Sequence, residues 1–268
     1  MLGKLFKHDM IATSRYFIPM FLAFVVLSII NKITFEIGII SNMGNQFMEI
    51  SAIILMSLYI LCMIAIYILV YVFITMHFYQ TMSGERGYLT HTLPVKTITI
   101  INSKLLCAIV WQLVGCVMVF ASLFLLAAGH TSGVEFKIFM NNMRDIYAEI
   151  SGSFTTFCVI MLVTVLIGFI SSPLMFYASI ALGHLFKKQK LVGSIVSFIA
   201  IYVIMQICSA VLLVATGYWN MAKHVNGLYS ASHTYNTTML NSLLMATVFT
   251  VIFYIITNWV FSRKLNLE

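Results

Sequence analysis

Six long apolar runs alternate with shorter polar connections along the chain, covering residues 17–40, 51–78, 105–128, 154–182, 191–216 and 239–261. A helix needs about 20 residues, within roughly 17–25, to cross the hydrocarbon of a bilayer. Each run is therefore predicted to be one transmembrane helix. The fourth is the longest and holds Gly168 and the triplet Ser171-Ser172-Pro173. A proline inside a helix removes a backbone hydrogen bond, so a kink is predicted at Pro173. Ahead of the first run, residues 1–16 place Leu2, Leu5, Phe6 and Met10 at helical spacing, with Lys4 and Lys7 off that stripe. This pattern predicts an amphipathic helix lying in the membrane interface.

The connections carry patterns of their own. Residues 134–150 set Phe139, Met143, Ile146, Tyr147 and Ile150 on one helical face, with Asn142, Arg144, Asp145 and Glu149 largely off it. A second amphipathic helix is predicted there. Residues 217–238 are polar and aromatic, with Tyr218, Trp219, Tyr229 and Tyr235, side chains suited to a headgroup layer. Between the second and third runs stands GERGYLTHTLPVKTITIINSK, residues 84–104. Tyr88, Leu89 and Leu93 form a single apolar edge early in this stretch, which predicts a short helical segment over 84–96. Pro94 ends that segment, and Thr97 caps the helix entering the third run.

Composition turns these runs into a class. Of 268 residues, 61% are hydrophobic and 9% charged, against about 25% charged in a soluble domain. The expectation is an all-α polytopic membrane protein, a single transmembrane domain over 1–268 without a soluble catalytic domain. The net charge of +7 is read as setting orientation, not as binding nucleic acid. With the N-terminus inside, cytoplasmic segments hold eleven basic residues: Lys4, Lys7, Arg15, Arg86, Lys96, Lys104, Lys187, Lys188, Lys190, Arg263 and Lys264. External segments then hold four, namely Lys32, Lys137, Arg144 and Lys223. Both termini are accordingly expected in the cytoplasm. All five cysteines fall within apolar runs and read as small packing residues.

Several chemistries have no residues to carry them. There is no Gly-x-x-x-x-Gly-Lys-Ser/Thr pattern for a nucleotide phosphate, no His-Glu-x-x-His and no Gly-x-Ser-Gly. The seven histidines stand at run ends or in connections and read as interfacial groups, not metal ligands. Apart from Lys32 and Glu36 in the outer part of the first run, the runs carry no Asp, Glu, Lys, Arg or His away from their ends, which argues against a proton carrier or a voltage sensor. No enzymatic activity, cofactor or metal is expected of the chain itself.

The order of short motifs adds a resemblance. Glu85-Arg86-Gly87-Tyr88-Leu89 is followed by Leu93-Pro94-Val95 and Lys104, with Ser103 where a Gly is often found. Ala181-Leu182-Gly183-His184-Leu185-Phe186-Lys187-Lys188 closes the fourth run. With the six spans and the N-terminal interfacial helix, the whole chain resembles the permease subunit of a type-2 ATP-binding-cassette exporter. That resemblance implies that residues 84–96 form a cytoplasmic coupling helix. It would dock on a separate ABC ATPase through Glu85, Arg86, Tyr88, Leu89, His91 and Leu93. ATP and Mg would be bound by that partner. A second permease subunit, identical or paralogous, would complete the pathway by which a hydrophobic or amphipathic cargo leaves. A lipid-like molecule or a membrane-active antimicrobial peptide fits that description, and the location implied is a bacterial plasma membrane. The external segment after the third span departs from many relatives, whose bulky external element follows the fifth. Two other readings stay open. One is a non-pumping immunity or substrate-capture protein. The other is a membrane enzyme, which the lack of polar residues at depth disfavours. For Glu85 and Arg86 the plainer alternative is a solvated turn at the membrane surface.

Overall fold

The computed structural model describes residues 2–40, 46–82, 95–127, 133–151, 153–186, 189–225 and 231–263. Among the described residues the architecture is all-helical. The helices are α1 (Leu2–Ile40), α2 (Gln46–Met82), α3 (Thr97–Ala127), α4 (Gly133–Ser151), α5 (Phe154–Gly183), α6 (Lys190–Val225) and α7 (Ala231–Arg263). All but α4 are long and apolar enough to cross a membrane, so six membrane-length helices carry the chain as a multi-pass membrane protein. Helix α3 begins at Thr97, and α4 occupies the predicted amphipathic stretch.

Two differences from the sequence expectation stand out. The first run and the segment before it form one uninterrupted helix of 39 residues. At 1.5 Å per residue it is about 58 Å long, well beyond the roughly 30 Å of hydrocarbon. Helices α6 and α7 also run into the polar and aromatic stretch 217–238, ending and starting at Val225 and Ala231. Side-chain polarity changes there, but no proline stops the backbone ladder. Asn226-Gly227 follows the end of α6, a pair suited to terminating a helix.

The chain divides into two compact units. The first comprises Met1–Gln80 with Thr99–Ser132, and the second Thr81–Ile98 with Gly133–Glu268. In the first unit, α1 buries a stripe at three- and four-residue spacing: Asp9, Thr13, Phe17, Phe21, Phe24, Ser28 and Asn31. Its middle is aromatic. The Phe17 ring stacks on Trp111 of α3 with centroids 4.5 Å apart, and meets Phe73 of α2 edge-on at 5.8 Å. Further along, Phe24 stacks on Tyr59 of α2, whose hydroxyl is 2.7 Å from the Ser122 hydroxyl of α3. Asn31 donates to the Leu55 carbonyl at 3.3 Å. These pairings run α1 and α3 in the same direction, with α2 antiparallel to both.

In the second unit, Ser153 caps α5 by accepting from the Thr156 N–H at 3.2 Å. Tyr147 of α4 stacks on Phe157 of α5 at 4.0 Å. Helix α5 continues through Pro173, and its buried residues begin at that proline: Pro173, Leu174, Tyr177, Ala178, Ser179, Ile180, Ala181 and Gly183. The chain then turns sharply into α6. At Gly183 a Cβ would lie 2.5 Å from the Ser194 nitrogen and 2.6 Å from its Cα, so only glycine allows this approach. The His184 ring lies 6.1 Å from that of Phe261, which places the end of α7 beside the same corner.

Candidate functional site

The most polar interior point among the described residues is a cluster around Asp9. A lone carboxylate in an apolar bundle demands partners, because an unpaired buried charge costs several kcal/mol or more. Here the partners come from two helices. Lys104 of α3 donates from Nζ to Asp9 Oδ1 at 3.3 Å, and its side chain is only 4% exposed. Ser103, the residue before it, donates from Oγ to Oδ2 at 2.9 Å. From α2, His77 Nε2 stands 3.3 Å from Oδ1.

One turn further in, the polar chain continues. Thr13 Oγ1 donates to the Asp9 carbonyl at 2.8 Å and accepts from Trp111 Nε1 at 2.8 Å. Cys107 Sγ lies 3.5 Å from the same hydroxyl. The successive contacts 9–103, 13–107 and 13–111 fix the axial register of α1 against α3, since a slip of one helical turn would move every donor by about 5.4 Å. The cluster is closed to substrate. Asp9 occupies the centre and both Ser103 and His77 point at it, so no nucleophile–base pair is formed. Its chemistry is that of a fastener between helices.

Its position in the chain gives it interest. His77 precedes the segment 83–94 and Ser103-Lys104 follow it, so a single carboxylate holds both helices from which that segment springs. Glu85, Arg86, Tyr88, Leu89, His91 and Leu93 all fall inside the segment and lie outside the described residues. In the sequence Lys104 stands out as a motif residue and as one of the cytoplasmic basic residues, and the structure gives it a buried partner in Asp9. Pro173, expected to kink its helix, is buried within a continuous α5. Among the described residues, no group of three or more His, Cys, Asp or Glu side chains is arranged to hold a metal.

Asp9 is the residue that sequence reasoning missed. Standing between Lys7 and Arg15 in a segment of mixed polarity, it looks like one more solvated charge. The available signal was the four-residue spacing Asp9, Thr13, Phe17, Phe21, which continues the apolar face of the first span back through the aspartate. Comparison with known protein families, curated proteins and solved structures finds no match to this chain.

Proposed function

We propose that the chain is the permease subunit of an ATP-driven exporter, with both termini in the cytoplasm and residues 84–96 as the element that receives force from a separate ATPase. The observation that carries this reading is the Asp9 cluster. A segment that passes movement from a soluble motor into membrane helices has to be rooted rigidly at both ends. Asp9 ties α1 to α2 just before the segment and to α3 just after it. The motif order Glu85-Arg86 to Leu93-Pro94 to Lys104 supports the same assignment.

In this reading the ATPase subunits bind ATP and Mg, close on ATP and separate on hydrolysis. Their motion reaches α2 and α3 through residues 84–96, and the cluster carries it to α1. The cargo is hydrophobic or amphipathic, in keeping with the uncharged middles of the second to sixth apolar runs. The membrane is the plasma membrane of a bacterial cell.

The test replaces Leu89 and Leu93, the apolar edge of the segment, with Asp. Two charges placed in a buried groove cost several kcal/mol, enough to weaken docking by orders of magnitude. Membrane levels of the chain stay unchanged, because neither residue lies in a span. The measurement is co-purification of a co-expressed ABC ATPase, alongside labelling of a cysteine at position 90 by an impermeant thiol reagent in intact cells. Loss of the ATPase and protection of position 90 are expected. Retained binding by the Leu89→Asp/Leu93→Asp chain, or external labelling at 90, would overturn the assignment and favour a non-pumping capture protein.

A further inference from the structure

The face of α1 turned away from the Asp9 cluster carries a charge pattern that the fold itself does not use. Lys4, Lys7, Ile11, Arg15, Ile18 and Leu22 share an arc of about 80° on a helix of roughly 3.6 residues per turn. Asp9 and Thr13, both buried, lie on the opposite side. Lys4, Lys7 and Arg15 are exposed, and Ile11, Ile18 and Leu22 are 54%, 56% and 61% exposed. Among the described residues no acidic side chain pairs with Lys4, Lys7 or Arg15. The Asp9 contacts to Ser103 and Lys104 fix the rotation of α1, so the stripe is held facing away from α3.

The stripe is cationic at one end and aliphatic at the other. Lys4 to Arg15 covers about 16 Å of helix axis, and Arg15 to the exposed Val26 about 16 Å more. The second distance matches one leaflet of a bilayer whose hydrocarbon is roughly 30 Å thick. No charged residue interrupts it in the sequence. Side chains of a helix lean toward its N-terminus, which carries the Arg15 guanidinium from the edge of the hydrocarbon into the headgroup layer. The continuity of α1 matters here. A separate helix lying flat in the interface would aim the lysines and the aliphatic strip in different directions, whereas one straight helix sets them in line.

This pattern chooses its occupant. A guanidinium takes phosphate oxygens through paired hydrogen bonds, and branched aliphatic side chains take an acyl chain. An acidic protein or a nucleic acid in solution meets Lys4 and Lys7 but does not descend along Ile18 and Leu22. A phospholipid with a net negative headgroup meets both parts at once.

We infer that this face of α1 is a binding site for an anionic phospholipid, with Arg15 on its phosphate, Lys4 and Lys7 beside its headgroup and an acyl chain along Ile18, Leu22 and Val26. The site needs only that α1 crosses a membrane, and it stands apart from the permease reading.

The test uses the full chain in micelles of an uncharged detergent. Phosphatidylglycerol or phosphatidylcholine carrying a diazirine midway along one acyl chain is titrated in and irradiated, and adducts are located by peptide mass spectrometry. Phosphatidylglycerol should label residues 18–26 and half-saturate at a concentration at least about five-fold below that of phosphatidylcholine, the effect of one basic residue near an anionic surface. Arg15→Gln should raise that concentration about five-fold, and Arg15→Gln/Lys7→Gln about 25-fold. Arg15→Lys keeps the charge and should lose less than Arg15→Gln. Arg263→Gln, which removes the same charge from the exposed end of α7, should leave labelling of α1 within about two-fold of wild type, since charge is screened beyond about 10 Å. Equal labelling by the two lipids would overturn the proposal, as would adducts outside residues 18–26. Equal losses from Arg15→Gln and Arg263→Gln would replace the site with diffuse surface charge. Displacement of the phosphatidylglycerol adduct by polyglutamate would assign the lysines to an acidic protein instead.

Discussion

Among the described residues, α1–α3 bury side chains through the middle of their spans, whereas the fully buried side chains of α5–α7 gather toward one end. Of the most apolar stretch of each helix, 28%, 17% and 22% is buried in α1, α2 and α3, against 0%, 6% and 6% in α5, α6 and α7. The first unit is pinned by polar contacts at both ends, Asp9 with Lys104 at one and Asn31 with the Leu55 carbonyl at the other, around an aromatic middle. The second unit buries its side chains most fully beyond Pro173, around Gly183, Ser194 and Phe261, with Tyr147 stacked on Phe157 at the other end of α5. The difference shows two ways of holding membrane helices together where lipid removes the hydrophobic driving force. One uses directed polar bonds that fix register. The other uses a glycine that lets two backbones approach closely.

The sharpest way to break this contrast is to unpair the buried charge. Asp9→Leu leaves Lys104 without its carboxylate, and losing one partner of a buried pair costs about 3–5 kcal/mol. Asp9→Leu/Lys104→Met should recover most of that loss, because an apolar pair replaces a buried ion pair at little cost. Unfolding in mixed micelles under a denaturing-detergent gradient measures both. A single variant within about 1 kcal/mol of wild type would mean that the cluster does not hold the first unit.

A smaller effect is expected from two glycines of the same helix. Gly183→Ala forces its new methyl against the Ser194 backbone and should cost about 1–3 kcal/mol, as overpacking does. Gly168 has nothing within 4 Å of where a Cβ would stand, so Gly168→Ala should be neutral or stabilising by up to about 1 kcal/mol through helix propensity. Equal effects at both positions would erase the distinction between the packed and open stretches of α5.

The smallest effect is a pH dependence confined to the second unit. Burial holds the His184 imidazole below its ordinary value; the Ile180 carbonyl that its Nδ1 meets at 2.8 Å opposes this, and the charge of Lys190 adds to it. The neutral ring is favoured in the folded state, so this stabilisation is complete above about pH 6.5, the unfolded value. It is lost as pH falls from there through the depressed folded value, where the unfolded chain binds the extra proton. Melting curves should fall on acidification below that point, and His184→Gln should flatten this region of the profile. A wild-type curve of the same shape as that of His184→Gln would remove His184 as its source.

The spans were legible because their signal is local: about twenty apolar residues in a row admit one structure in lipid. The amphipathic α4 was legible for the same reason, through the spacing of Met143 and Tyr147, both of which are half-buried. The ends of α6 and α7 were not, since polarity marks where a membrane stops and not where a helix stops. The site was least legible. Asp9 and Lys104 are 95 residues apart in sequence, and no periodicity records a contact over that distance. Lys104 was visible through its motif, while its partner was hidden in a stretch whose lysines pointed to a membrane surface.

The sparse packing of α6 hands a structural role to the surrounding bilayer. From Tyr202 to Ala215, α6 is exposed at every residue except Met205 and Leu212, which are half-buried and stand seven residues apart on one narrow seam. Elsewhere that half-helix is left uncovered by its own chain, a surface a membrane helix turns to lipid. With so few protein contacts to resist it, hydrophobic mismatch falls mainly on this stretch: a thinner bilayer tilts it and a thicker one draws it upright. The lipid around α6 therefore acts as a structural component, and its chain length sets an angle that the protein leaves undetermined.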